Sequence, residues 1–385
     1  MPASRGPIIR RSLTVAAVAG AAVSVRALTR SHQPSRAGQA GTEPGLMDWD
    51  AVRRTAWARS GGRRRIGSER AARLAAVYDE HAAGLAPLMA EVCGPMPETL
   101  PRFTVLDRTG FIDANLVIVR RLVEPVERIR AGLPESALTA IGRRLTSRYM
   151  GELLGLMSQR VLGQFDPVLT LPGPMAGDRE PRSLYLVEPN VEQFQRAHQI
   201  PDEPLRRWLI LHEATHAWQF EAHPWLAPHI GELMNGLVMS GLVAEASRSE
   251  RVALDLDTLR RLGGTLSGQL RGLARVQALM SVLEGYSNFV MHRVGRRHIP
   301  EFAELEAAFA RRQTERNLVE RLVLALSGIA VKLRQYQLGE SFCDAVAVEG
   351  GTGLLNRVWE GPETMPTMAE LRTPARWVAR VVRTG

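Results

Sequence analysis

Trp208-Leu-Ile-Leu-His212-Glu213-Ala-Thr-His216-Ala-Trp218-Gln-Phe220 is the stretch that decides how the rest of the chain is read. Its apolar residues fall on every side of a helix, and a soluble protein places such a helix at its centre. Inside it lies the pattern H-E-x-x-H. Residues four apart share one helical face, so His212 and His216 can offer two imidazoles to one metal ion while Glu213 projects beside them. Two neutral imidazoles and a carboxylate suit zinc and leave a fourth tetrahedral position for water. The ion lowers the pKa of that water toward about 7, and Glu213 can take its proton as it attacks a carbonyl. The bland alternative is a pair of structural histidines. Burying them with a glutamate in so apolar a helix would cost several kcal/mol, which a divalent cation removes. The expectation is therefore one Zn2+ per chain and hydrolysis of a peptide or other amide.

A third ligand must come from elsewhere. Extending the motif to a third histidine would need glycine at position 219 and histidine at 222, where the chain has Gln219 and Ala222. His223 misses that register by one. On an ideal helix it returns to the face of His216 but lies about 10 Å further along the axis, so it would need a bend at Pro224 to share an ion. A carboxylate from a later helix is the better source, with Glu221, Glu232, Glu245, Glu284 and Glu340 as candidates. Glu221 points about 140° away from His216. Glu284 fits best because it interrupts Val276 to Val290, an otherwise core-like helix, and Asn288 one turn later could orient a liganding histidine. A solvated stripe with Gln277 and Ser281 is the competing explanation of Glu284, and Glu340 is the runner-up ligand. Tyr286, His292 and Arg334 are candidate donors to a developing oxyanion.

Outward from this helix the chain reads as mainly α with a small β-sheet or hairpin. Ala71 to Met89, Leu116 to Gly132, Leu138 to Val161, Leu205 to Phe220, Leu273 to Val294 and Val319 to Val348 place Leu, Val, Ala and Met at three-and-four spacing. Val161 to Phe165 and Ser183 to Val187 are short, β-prone and bounded by Gly163, Pro167, Gly173, Pro174 and Pro189, which predicts a long-loop hairpin. The strand from Ser183 could alternatively bind an extended peptide along its edge. Gly350, Gly351 and Gly353 break the last helical region, and Pro362, Pro366 and Pro374 predict a loop-rich tail. Residues 47–385 are expected to form one helical catalytic body with two lobes around the 205–221 helix, preceded by an extension and linker over residues 1–46.

The formal charge of the 385 residues is +9, which invites a nucleic-acid role until the excess is located. Residues 1–70 hold thirteen arginines against Glu43, Asp48, Asp50 and Glu69, so they carry the whole +9 and the body is formally neutral. With Lys332 as the only lysine, the arginine bias is no sign of phosphate recognition, for which either cation serves. No nucleic-acid partner is expected. Arg10-Arg11-Ser12-Leu13 ahead of the apolar stretch Leu13 to Val25 partly matches a twin-arginine export signal. Thirteen residues are too few to span a bilayer, for which about twenty are needed. Any membrane contact or export is thus expected through this extension alone. Cys93 and Cys343 belong to no C-x-x-C pair and read as buried inert thiols.

Two other functions compete. Glu213-Ala-Thr-His216 is also E-x-x-H, as in di-iron carboxylate proteins, but those need a second such motif, and Ser287 stands where its histidine would follow Glu284. A non-catalytic scaffold with a structural zinc would have no use for a base beside the ion, against which Glu213 argues.

The chain resembles the zincin-like metallopeptidase type 2 family of hydrolases, some of which are named for an association with deazaflavin coenzyme biosynthesis. The resemblance runs from Met47-Asp-Trp-Asp50 through Phe103-Thr-Val-Leu-Asp107-Arg-Thr-Gly-Phe111-Ile-Asp-Ala-Asn115, Leu162-Gly-Gln-Phe-Asp166-Pro167 and Leu186-Val-Glu-Pro-Asn190. It continues through the His212 to Phe220 helix, His223-Pro-Trp-Leu226, Leu283-Glu284-Gly285 and Asn356-Arg-Val-Trp-Glu360-Gly-Pro-Glu-Thr364. It implies a zincin-like metallohydrolase with zinc on His212 and His216, base Glu213, Glu284 as the remaining ligand, and a cytoplasmic location. One departure is Tyr286, where histidine is usual after Glu-Gly, so any help that histidine gives to catalysis is missing here.

Overall fold

The structure is a computed structural model that describes residues 45–62, 65–130, 137–166, 183–249, 256–314 and 329–384. The expected N-terminal extension before Gly45, the loop between the hairpin strands and the part of the last long helix before Ile329 lie outside these residues. Among the described residues the protein is mainly α with one three-stranded sheet.

Its centre is α6, Asp202–Glu221, the H-E-x-x-H helix. From Pro204 to Phe220 all residues but Arg207 are buried, so this helix shows no solvent face between Trp208 and Phe220. Asp202 and Glu203 sit in that turn, where acidic side chains complement the helix dipole. The buried guanidinium of Arg206 is paired on three sides. It meets Glu188 at 2.7 Å and Asp202 at 2.7 Å, and also the hydroxyl of Tyr78, which donates to Glu188 at 2.8 Å. Glu188 opens α5, Glu188–His198, and Tyr78 lies on α2, Ser68–Cys93. One buried ion pair therefore fixes α6 against two neighbours, and its charges are compensated as burial requires.

The sheet lies alongside. β2, Gly163–Asp166, pairs antiparallel with β3, Ser183–Val187, as the expected hairpin. A further strand, β1, Phe103–Leu106, pairs parallel with β3 in the register Phe103 to Leu184. The order β1-β3-β2 places β3 in the middle with both edges occupied, so the strand from Ser183 is not an edge on which a peptide could pair. With four residues, β1 is too short for alternation to show in the sequence.

Beyond α6 the chain forms α7, Leu226–Ser249, then α8, Leu256–Val290, which runs into a π-helical turn over Met291–Gly295. α9, Phe302–Thr314, and α10, Ile329–Asn356, follow. The predicted glycine break is present in α10 as a kink: Gly351 adopts φ 73°, a conformation open to glycine, while Gly353 stays helical. The C-terminal tail differs from the loop-rich expectation. It carries α11, Met368–Arg372, capped by Thr367 and Glu370, and α12, Pro374–Thr384, which buries Trp377 and Val381. Proline at the first position of a helix opens it rather than breaking it. Around the remote end, α1, Trp49–Arg59, α3, Arg108–Arg130, and α4, Ala137–Ser158, enclose a smaller core of Val52, Ala56, Ile112, Val119, Met150 and Leu154. Among the described residues no helix is long and apolar enough to cross a membrane.

Candidate metal centre

His212, His216 and Glu284 converge in the interior, exposed by only 2%, 5% and 2%. Among the described residues they are the one group of three or more such side chains whose donor atoms could share an ion. The two Nε2 atoms are 3.2 Å apart, and each is 3.8 Å from Oε2 of Glu284.

The outer nitrogens explain how the rings are held. Gln219, three residues after His216, gives its Nε2 hydrogen to the carbonyl of Leu283 at 3.0 Å. A carbonyl only accepts, so the amide is oriented with Oε1 toward Nδ1 of His216, 2.9 Å away. Ser287 Oγ donates to the same carbonyl at 3.1 Å and sets its oxygen 3.3 Å from that Nδ1. His216 must therefore carry its proton on Nδ1. His212 places Nδ1 3.1 Å from the sulfur of Met291, again an acceptor and never a donor. Both imidazoles thus present a lone pair from Nε2 toward the same small space, beside a carboxylate. Three acceptors facing one another in a buried pocket repel, and a cation among them turns that repulsion into binding.

The fit to a metal can be tested on the triangle itself. Sides of 3.2, 3.8 and 3.8 Å define a circumradius of about 2.1 Å, and zinc bonds to nitrogen and oxygen measure about 2.0 to 2.2 Å. The donor set fits.

The geometry depends on two helices. α6 and α8 run antiparallel, so that Leu283 and Ser287 meet the His216 end of the motif while Met291 meets the His212 end. Glu284, Ser287 and Met291 follow one another at three and four residues, one face of α8. On its other side α8 crosses α10 at two glycines. A Cβ on Gly285 would lie 2.2 Å from the backbone of Gly339, and one on Gly339 would lie 1.8 Å from the carbonyl of Ser281. Glu284 is therefore held by a backbone-to-backbone crossing. Glu213, 3% exposed, turns its carboxylate toward β2, where a Cβ on Gly163 would come within 2.6 Å of Oε1.

Other candidates are placed elsewhere. His223 accepts or donates nothing to the triad: its Nδ1 bonds the carbonyl of Gln219 at 2.9 Å, closing the helix end, and its ring packs between Trp218 and Trp359. Asn288 donates to Glu340 at 3.5 Å, and Gln219, Ser287 and Met291 lie against the outer nitrogens of the histidines. Tyr286 is fully buried, donates to Asn356 at 2.7 Å and stacks on Trp218, so it is a core residue rather than an oxyanion donor. Glu340 and Glu306 hold the two nitrogens of His292 at 2.7 Å each. Burial opposes the charge on His292, but the two carboxylates outweigh it and raise its pKa to about 9. Both carboxylates are thereby committed outside the triad. Glu221 is half-buried at the end of α6 and Glu232 is exposed on α7. The side chains of Glu245 and Arg334 lie outside the described residues. Cys93 and Cys343 are buried free thiols, and burial pushes Cys93 up to about 12.

Comparison with known proteins bears on the whole chain. Residues 47–378 match the model of a family described as zincin-like metallopeptidase. A crystal structure from Chloroflexus aurantiacus, described as a "putative hydrolase with a novel fold", superposes with a TM-score of 0.66 at 35% identity, covering 88% of this chain and 100% of that one. No curated protein matches. A mainly helical fold carrying a buried His-His-Glu cluster defines a zincin-like protein with a hydrolase or metallopeptidase-type role. The chain belongs to the zincin-like metallopeptidase family, which implies a metal, typically zinc.

Proposed function

We propose that the chain is a zinc-dependent peptidase or related amide hydrolase, with His212, His216 and Glu284 holding one zinc ion and Glu213 acting as general base. The observation that carries this reading is the convergence of two Nε2 lone pairs and a carboxylate oxygen, 3.2 to 3.8 Å apart, in a buried pocket. When bound, zinc would make a water acidic and polarise the scissile carbonyl. The protein's own groups do the rest. Gln219, Ser287 and Met291 hold the imidazoles in the tautomer that leaves Nε2 free to bind. Glu213 takes the proton of the attacking water and passes it to the leaving nitrogen, a role worth about 10² to 10⁴ in rate. Burial of all four side chains keeps bulk water from weakening these interactions.

The test pairs metal analysis with a peptide-library cleavage profile. About one zinc per chain is expected, absent from a His212→Ala, His216→Ala double variant, with cleavage lost in Glu213→Gln. Protein purified without any bound transition metal would overturn the reading. Zinc with identical behaviour of wild type and Glu213→Gln would make the protein a non-catalytic zincin-fold scaffold.

A further inference from the structure

We infer that Met291 is a positioning residue for the metal centre, its thioether accepting the Nδ1 proton of His212 and so fixing that ring for coordination. The inference rests on the proposed metal site and adds a residue to it. Histidine ligands generally give their outer N–H to a carboxylate, a backbone carbonyl or water, and loss of that partner weakens metal binding ten- to a hundredfold. His216 follows the rule through the amide oxygen of Gln219. His212 has the sulfur of Met291 at 3.1 Å.

Three observations mark Met291 as more than core filling. It is 1% exposed, so its sulfur meets the Nδ1 proton away from bulk solvent. It stands seven residues, about two turns, beyond Glu284, just past the end of α8 and in line with the face that supplies the acidic donor and Ser287. It is also the first residue of the π-helical turn Met291–Gly295, a rare distortion that proteins use mostly at functional sites. Immediately after it, His292 is bound to Glu306 of α9 and Glu340 of α10 at 2.7 Å each. The turn that carries the sulfur is therefore tied down on both neighbouring helices. A thioether is a weak acceptor. It fixes the direction of the ring while lending the imidazole little extra basicity, so His212 would donate less charge to a bound ion than His216 would.

Met291→Leu tests this, because it keeps volume and apolarity and removes only the acceptor. Met291→Gln restores an acceptor, and a stronger one. Zinc dissociation constants from chelator competition, the visible spectrum of the cobalt-substituted protein and the thermal stability of the metal-free protein are measured for all three. The expected result is a loss of zinc affinity at or below the low end of the ten- to hundredfold range of stronger partners, about tenfold, and a shifted cobalt spectrum in Met291→Leu, with metal-free stability unchanged and affinity recovered in Met291→Gln. Affinity and spectrum unchanged in Met291→Leu would overturn the inference and leave Met291 a packing residue. Wild-type protein that binds neither ion would instead overturn the metal site on which it rests.

Discussion

Gly163→Ala should separate the base from the metal. The Cβ of an alanine there would stand 2.6 Å from Oε1 and 2.9 Å from Cδ of Glu213, and 2.9 Å from Cδ2 of Leu186. Ordinary contact needs about 3.5 Å, so the carboxylate has to retreat by roughly 0.9 Å, and Leu186 has to give way as well. Misplacing a reacting group by about 1 Å costs on the order of 10² in rate. None of the three atoms nearest the added methyl belongs to a proposed metal donor. The variant is thus expected to keep its zinc and to lose about a hundredfold in kcat, with little change in KM. Glu213→Gln placed on top of it should then cost much less than in the wild type, because the base is already displaced. Steady-state kinetics on the best peptide of the library, beside zinc stoichiometry, measure both. Full activity in Gly163→Ala would refute the placement of Glu213 against β2 as the working position of the base, and parallel loss of zinc would show that the strand supports the metal instead.

Gly339→Ala should do the reverse. Its Cβ would lie 1.8 Å from the carbonyl of Ser281, so α8 and α10 must part by more than 1 Å and take Glu284 with them, far outside the tolerance of about 0.2 Å on a metal–ligand distance. Zinc affinity by chelator competition is expected to fall at least a hundredfold; unchanged affinity would mean that the crossing does not position Glu284. His292→Gln should show a pH-dependent cost. The charged ring bridges Glu306 and Glu340, and its pKa is raised to about 9 from an ordinary 6.5. The stabilisation is therefore complete below about pH 6.5 and is lost as pH rises through about 9, with a ceiling of about 3 kcal/mol. Denaturation of wild type and variant at pH 6 and pH 10 measures it, and a difference that grows toward pH 10 would contradict the bridge.

Much of the site was legible because its chemistry is periodic. His212, Glu213 and His216 share one helix, and Glu284 announced itself as a lone acid in an apolar run. Gln219 could have been found by the same spacing, since three residues separate it from His216 on one helical face. Met291 and Gly163 could not. A methionine in an apolar helix looks like core until its sulfur is seen against an imidazole, and a glycine in a strand gives no hint of which side chain occupies its missing Cβ. Nothing local in the sequence tells where Tyr286 and His292 point, and the structure turns Tyr286 toward Trp218 and Asn356 and His292 toward two other helices. Strand order was equally hidden. Local pattern can propose the hairpin of β2 and β3, but the insertion of β3 between two partners is a long-range fact.

Some irregularities of this fold lie elsewhere, as at Gly151 and Gly155 where α1 crosses α4 and at the buried Arg206–Glu188 pair, but several gather at the candidate metal centre. A helix interior normally excludes titratable groups, avoids glycine at crossings unless backbones must touch, and keeps its i to i+4 ladder. This chain breaks the first rule at His212, Glu213 and His216, the second at Gly285 and Gly339, and the third over Met291–Gly295. It also spends a strand position on Gly163. Every one of these departures costs stability, and each bears on the position of one of four side chains, His212, Glu213, His216 or Glu284. Packing alone gives no reason for them to coincide: a core built for stability would fill Gly163 and straighten the turn at Met291. Sequences break local rules where function requires it. The gathering of Gly163, Gly285, Gly339 and the turn at Met291 around one buried set of donors therefore adds to the motif's own case for a metal-binding cluster there.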